Sequence, residues 1–324
     1  MSPIRSLLRH LSPAGPSARL SILIFHRVRP VADALFPDEV DAARFNQICG
    51  WLQTWCQVLP LDVAAQRLAD GSLPERAAAI TFDDGYEDNA SVAMPILQRH
   101  GLTATFFVAS GYLDGGCMWN DQITESLRSC RAEQLDLGSV LEAGLPGQAS
   151  YPLQTLDLRR AAVSDIIRRV KYLPLSERAL AVADVVRLSG VAMPRDLMMT
   201  SEQLRSLRRG GMTVGAHTVS HPILAKLATA DARQEIAQGK QALESRLDEP
   251  VNLFAYPNGR PGTDYSPETV ALVRDCGFST AVSTAWGAAN ASSDPLQLPR
   301  FTPWDRAGWR FGLRLAGNLR GVPA

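Results

Sequence analysis

Short apolar runs recur along this chain with room for a helix between successive runs, and that alternation limits the fold more than any other feature. Residues 22–25, 78–82, 105–108, 213–216, 253–255, 280–282 and 298–301 each read as a strand, with a weaker one near Val58. The intervening segments have helix signals. Thr200 precedes Ser201-Glu202-Gln203 as a capping box, and Ser266 precedes Pro267 in the first turn of another helix. Gly277 follows that second helix, where a left-handed cap is expected. Strands alternating with helices imply a mostly parallel sheet in an α/β fold, and closing it gives a (β/α) barrel of seven or eight strands.

A chain of 324 residues, 46% of them hydrophobic, is long enough to bury one large core, so residues 21–324 are assigned to a single barrel domain. Residues 112–199 differ from the rest: two Leu- and Arg-rich helical patterns, 156–172 and 176–188, are joined by Gly- and Pro-containing loops with no chemical motif. This stretch is expected to be a helical insertion between the third and fourth strands that roofs the site. At its start, Trp119-Asn120-Asp121 suits either a sugar-stacking aromatic or a core tryptophan.

The formal net charge is zero, which argues against nucleic acid as a partner because phosphate binding needs clustered cations. Five cysteines without paired spacing form no disulfide framework and fit a reducing compartment, and Cys49 and Cys56 read as small buried hydrophobes. No run approaches the length of a transmembrane helix, and the apolar run 22–25 is too short for a secretory signal. The expected location is therefore cytoplasmic. Residues 1–20, with Arg5, Arg9 and Arg19, are expected to be poorly ordered and able to touch the inner face of a membrane. His10 and His100 lie outside every motif and read as surface residues.

Two runs carry the chemistry. Ala77-Ala-Ala-Ile-Thr-Phe-Asp-Asp-Gly85 ends an apolar strand in two acids, and Gly215-Ala-His-Thr-Val-Ser-His-Pro222 supplies two imidazoles. Alone, the first is usually a turn and the second a solvated face. Together they offer the carboxylate and imidazole ligands that a catalytic Zn²⁺ takes while keeping positions open. His217 and His221 are four apart, so one helical turn would put both rings on one side. Asp83 and Asp84 are consecutive and point in different directions, so one can bind a cation while the other takes a proton. His26, Asp83, Asp84, His217 and Tyr256 all fall just after a predicted strand, the end at which (β/α) barrels carry their chemistry.

The segment Thr81-Phe-Asp-Asp-Gly-Tyr-Glu-Asp-Asn89 followed by His-Thr-x-x-His-Pro resembles the polysaccharide deacetylases with a NodB-homology domain, carbohydrate esterase family 4. The opening Ile22-Leu-Ile-Phe-His-Arg-Val28, then Ala104-Thr-Phe-Phe-Val108, Phe254-Ala-Tyr-Pro-Asn-Gly259 and Leu298-Pro-Arg300 agree in order. The resemblance implies one divalent metal, Zn²⁺ foremost, on Asp84, His217 and His221, with Asp83 as the base that takes a proton from the attacking water. It implies an oxyanion donor at the backbone of Asn258, in the loop Tyr256-Pro257-Asn258-Gly259, where many relatives carry Tyr in place of Asn258. The implied substrate is an N-acetylated amino sugar of a polysaccharide or of a lipid-linked glycan precursor.

Two positions depart from the common pattern. Ala255 stands where relatives carry the Arg that orients the base, and Leu298-Pro299-Arg300 replaces a motif that holds the acid histidine. His26 is the expected replacement acid, and Arg300 the expected source of charge beside Asp83. The alternatives are an O-deacetylase, a catalytically impaired carbohydrate-binding relative, and a non-haem Fe(II) oxygenase with a two-His-one-carboxylate triad. The α/β alternation argues against the oxygenase, and Thr218 stands where a His-Glu-x-x-His zinc protease needs its Glu.

Overall fold

The computed structural model describes residues 3–138, 149–302 and 305–321. The expected terminal segment, insertion and barrel domain extend past these bounds at residues 1–2, 139–148 and 322–324, and the barrel also includes residues 303–304; these parts lie outside the described residues. The strands are β1 (Ser21–Phe25), β2 (Gln57–Val58), β3 (Ala77–Phe82), β4 (Thr105–Val108), β5 (Gln134–Asp136), β6 (Ser150–Pro152), β7 (Thr213–Ala216), β8 (Leu253–Ala255) and β9 (Thr280–Val282). Residues 1–31, 40–113 and 199–324 make one compact unit, and residues 32–39 and 114–198 make another.

In the first unit the sheet is parallel, in the order β1-β3-β4-β7-β8-β9, with β2 added on β3. The predicted strand at 298–301 is reduced to two parallel bridges, Leu298 to Val282 and Phe301 to Leu23. Leu298 donates its N–H to Ala281 at 2.9 Å, and Phe301 donates to Ile22 at 3.0 Å. The segment therefore joins β9 back to β1 and closes the sheet on itself, as the alternating pattern predicts.

Strand residues divide between two buried clusters with a period of two, as pleated backbone requires. Ile22, Ala77, Ala79, Phe107, Leu253, Ala255, Val282 and Leu298 pack together inside the closed sheet. Leu23, Phe25, Ala78, Ile80, Phe82, Phe106, Phe254 and Ala281 pack outward against helix residues such as Phe45, Ile48, Leu97, Ile236 and Phe311. Phe82 stacks on Phe106 with centroids 4.8 Å apart, and Phe25 meets Phe45 edge-on at 5.3 Å. Such pairs add about 0.5–1.5 kcal/mol each beyond the area they bury.

Both predicted caps form. Thr200 and Gln203 make a reciprocal capping box on the helix Ser201–Arg209, and Ser266 and Thr269 make one on Pro267–Asp275, with Gly277 at φ 79° just beyond its end. Near the amino terminus, poor order was expected, but residues Pro3–Leu11 form a helix. The reason is packing: Leu8 is buried, and Ile4 lies against Gly312 of the helix Gly308–Arg320, where an added Cβ would come within 2.8 Å of it.

The second unit has its own core, built on Ile123, Leu127, Val163, Ile166, Val182 and Val185 of the helices Trp119–Ser129, Leu156–Val170 and Leu175–Ser189. These helices match the predicted patterns; the antiparallel pair β5–β6 was not foreseen. Arg128 clamps Asp33 through two hydrogen bonds of 2.7 and 2.9 Å. Trp119 packs against this core, and the Arg178 guanidinium lies 4.7 Å from its ring centroid, so it is a packing residue and not an open stacking surface. The five cysteines are free; Cys49 is buried as expected, Cys56 is only half-buried, and desolvation pushes both thiols up to about 12.

Candidate metal centre

Parallel register brings the predicted site residues to one rim. Phe25 pairs with Phe82, and the next residue, Asp83, donates its N–H to Phe25 at 2.9 Å. Ala109 donates to the Asp84 carbonyl at 3.1 Å, and His217 donates to the Val108 carbonyl at 3.1 Å. His26, Asp83, Asp84 and His217 thus share the carboxyl ends of neighbouring strands. Asp84 turns there with φ 77°, a left-handed conformation costly for a residue bearing a Cβ, and such strain concentrates at functional sites. Gly85 follows at φ 91°, and a Cβ on it would meet Val108 at 2.9 Å.

Asp84, His217 and His221 present one ligand atom each, all within 4.8 Å of one another. Asp84 Oδ1 is 3.5 Å from His217 Nε2 and 3.4 Å from His221 Nε2, too far for good hydrogen bonds, and this buried oxygen has no hydrogen-bond partner among the described residues. Ligand atoms about 2.0–2.1 Å from a tetrahedral Zn²⁺ stand about 3.3–3.4 Å apart. An orphaned carboxylate oxygen between two imidazole nitrogens at that spacing fits a divalent cation. His217 Nδ1 lies 2.7 Å from the Ala255 carbonyl, which fixes the tautomer with the Nε2 lone pair facing Asp84. His221 lacks such a lock: its Nδ1 is buried without a partner.

The electrostatics agree. Burial would raise the Asp84 carboxyl, but the imidazoles of His217 and His221 outweigh it and hold the group ionised far below the usual range. Burial pushes His221 down to about 4, which leaves its ring neutral at physiological pH. Burial also disfavours charge on His217, yet its contact with Asp84 and the negative charge of both aspartates raise its pKa.

The histidine pair does not lie on a helix. His217 follows β7 directly, and the chain then reverses with Thr218 at φ 65° and His221 at φ 52°. Thr218 Oγ1 accepts the His221 N–H at 3.1 Å. Glu235, on the helix Thr229–Leu247, accepts the N–H groups of Val219 and Ser220 at 2.9 Å each and the Ser220 hydroxyl at 2.7 Å. No motif points to Glu235, which is one of three acids on that helix with Asp231 and Glu244.

Arg300 meets Asp83 as expected. Both side chains are buried, with Arg300 Nη1 and Nη2 each 2.7 Å from a separate Asp83 oxygen. Arg300 also donates to the Ser283 carbonyl at 2.9 Å and the Thr81 hydroxyl at 3.1 Å. Thr81 continues the inward phase of Ala77 and Ala79 in β3, Asp83 follows two residues on, and Ala255 faces the same interior. Burial would raise the Asp83 pKa, but the charges of Arg300 and then His217 hold it below the ordinary carboxylate value.

His26 is exposed, and its imidazole is close enough for its charge to act on both aspartates. Its backbone is clamped: Asn89 donates to the His26 carbonyl at 2.8 Å, Val28 donates to Asp88 at 3.1 Å, and Arg27 Nε donates to Asp88 at 2.8 Å. Asp88 and Asn89 were quoted in the motif but given no role. They sit where the chain enters a π-helical turn, Asn89–Ala93, a geometry common at functional sites.

Tyr256 is a correction. It continues the outward phase of Phe254: its ring stacks on Tyr265 at 3.9 Å and its hydroxyl donates to the Leu296 carbonyl at 2.9 Å. A fully buried ring held in this way faces the helical layer and not the rim. Pro257 is also buried, and its carbonyl accepts the Gly259 N–H at 2.7 Å. Asn258, half-buried, adopts φ 59°, and its carbonyl accepts the Thr284 hydroxyl at 2.8 Å.

A closed parallel sheet with an acid and two imidazoles at its carboxyl rim defines a (β/α) barrel with a candidate metal site. The family model for polysaccharide deacetylase matches residues 70–139 and 186–281, and the chain belongs to this family of hydrolases. The YxkH protein of Bacillus subtilis (strain 168), which carries a polysaccharide deacetylase name, is 20% identical over 285 residues, 87% of this chain and 71% of that one. Among solved structures, the Streptococcus pyogenes deacetylase PplD in complex with acetate aligns at TM-score 0.58 and 19% identity, covering 88% of this chain and 92% of its own. IcaB from Ammonifex degensii aligns at TM-score 0.56 and 18% identity, covering 93% and 98% respectively.

Proposed function

We propose that this chain is a metal-dependent hydrolase that removes N-acetyl groups from an amino sugar of a polysaccharide or lipid-linked glycan precursor. The observation that carries the reading is the Asp84 carboxylate oxygen, buried without a hydrogen bond between two imidazole nitrogens, beside a second carboxylate that is tied to an arginine and not to the cluster. The family's hydrolytic chemistry needs that division of labour between two acids.

Asp84, His217 and His221 would hold the cation, Zn²⁺ by the character of the donor set. Bound there, a Zn²⁺ polarises a carbonyl and lowers the pKa of water. Asp83 takes the proton from the attacking water, and Arg300 keeps the carboxylate ionised and aimed while supplying the low pKa that its burial would otherwise deny it. The backbone N–H of Asn258 is offered to the developing oxyanion; it has no acceptor among the described residues. His26, whose charge reaches both aspartates, protonates the leaving amine.

Acetate release from a panel of N-acetylated and O-acetylated saccharides, with metal-loaded and chelator-treated protein, tests the reading. Release from N-acetylated members alone, abolished by chelation and restored by Zn²⁺, is expected. Release from O-esters alone would assign an O-deacetylase. A metal-loaded chain inert on every member would contradict the catalytic reading.

A further inference from the structure

The helix Gly308–Arg320 buries Phe311, Leu315, Ala316 and Leu319 and leaves the opposite stripe bare. Trp309 is 60% exposed and Leu313, one turn on, is 51% exposed. The Arg310 guanidinium lies 5.1 Å from the Trp309 ring centroid, and Arg320 is exposed at the far end. Beside this helix packs Pro3–Leu11, with Ile4 against Gly312 and with Arg5, Arg9 and His10 exposed. The two helices carry five arginines and no acidic residue, in a chain whose formal net charge is zero. Arg9 is answered by Glu75 at 2.7 Å and Arg314 by Asp305. Arg5, Arg310 and Arg320 have no ion pair among the described residues.

We infer that this face docks on an anionic lipid surface. Amphipathic aromatic and aliphatic side chains flanked by arginines match an interface with an apolar interior and negatively charged headgroups: the indole and isobutyl groups enter the acyl boundary and the guanidinium groups stay at headgroup level. No helix of the described chain is long and apolar enough to cross a membrane, so the association is peripheral. A second copy of the chain fits the face less well. A two-fold contact would set like arginines against each other, and two exposed apolar side chains fall short of the roughly 800 Å² per partner of a standard interface. Lipid docking requires neither a cation nor turnover, so it stands or falls independently of the deacetylase reading.

The test is co-sedimentation of the full chain with vesicles of phosphatidylcholine alone and of phosphatidylcholine mixed with phosphatidylglycerol. Binding to the mixed vesicles only, weakened by added salt, is expected, and this salt dependence needs no substitution. Arg5→Gln, Arg310→Gln and Arg320→Gln should each weaken partition about fivefold at low salt. Trp309→Ser with Leu313→Ser should remove the part that survives high salt, with thermal unfolding unchanged because both side chains are exposed. Equal binding to both vesicle types, binding to neither, or variants that bind as the unmodified chain does would overturn the inference. So would a dimer in sedimentation equilibrium that Trp309→Ser with Leu313→Ser dissociates, which would give the face to a second copy.

Discussion

Arg300 and Asp83 meet through two hydrogen bonds of 2.7 Å in the interior of the closed sheet, although 217 positions separate them in the chain. Both occupy the inward phase of their segments, Asp83 two residues beyond Thr81 and Arg300 two beyond Leu298. The guanidinium thus reaches Asp83 from the segment after β9, while Ala255, which faces the same interior, brings no charge.

Removing Arg300 leaves the buried Asp83 charge unpaired. Because the folded carboxyl is held below its unfolded value, the pair contributes stability that is present above the unfolded carboxylate pKa and is lost as pH falls through the folded value. Arg300→Ala is expected to destabilise the fold by about 3–5 kcal/mol at neutral pH. Without the guanidinium, burial dominates, so the acid limb of the kcat/KM profile should move to higher pH. Arg300→Lys should recover charge but not the two-point geometry, and so only part of the rate. An acid limb that stays in place in Arg300→Ala would remove Arg300 from the orienting role.

His26→Ala should keep the cation and lose turnover by about 10²–10⁴, the usual contribution of a general acid. Metal content measured alongside initial rates separates the two effects. Near-normal turnover would take His26 out of the mechanism.

The Asn89 amide, bonded to the His26 carbonyl, should matter in the same step. Asn89→Ala is expected to lower kcat more than it raises KM, to leave metal affinity unchanged, and to cost about 1–3 kcal/mol of stability. An unaltered kcat would mean that the clamp is structural only.

Glu235 holds the loop between the two histidines through three hydrogen bonds. Glu235→Ala should weaken Zn²⁺ binding about 10–100-fold, as loss of an outer-shell partner commonly does. Competition with a chromophoric chelator measures this. Wild-type affinity in the variant would show that Thr218 alone shapes the turn.

The strands β1, β3, β4, β7, β8 and β9 were legible because each is a short apolar run almost wholly buried, and register then carried the residue after each strand to one rim; β5 and β6, with exposed or half-buried ends, gave no such run. What failed was local. The spacing of His217 and His221 suits a helical turn, but two residues in left-handed conformations fold the same span into a tight loop, and sequence gives no sign of a conformation that these side chains disfavour. Tyr256 was placed in the site by its position after a strand; the alternation that aims Asp83 inward aims Tyr256 outward onto Tyr265. Glu235, Asp88 and Asn89 act through backbone groups distant in sequence or in a neighbouring loop, contacts for which no spacing rule exists.

The central claim is that Asp84, His217 and His221 together hold one cation. Metal content per chain after dialysis against limiting Zn²⁺, compared between the unmodified protein and Asp84→Ala, His217→Ala and His221→Ala, addresses it most directly. The account predicts close to one equivalent in the unmodified chain and in Asp83→Asn, and little or none in each of the three ligand variants. Equal zinc in the ligand variants, or zinc lost from Asp83→Asn alone, would contradict it.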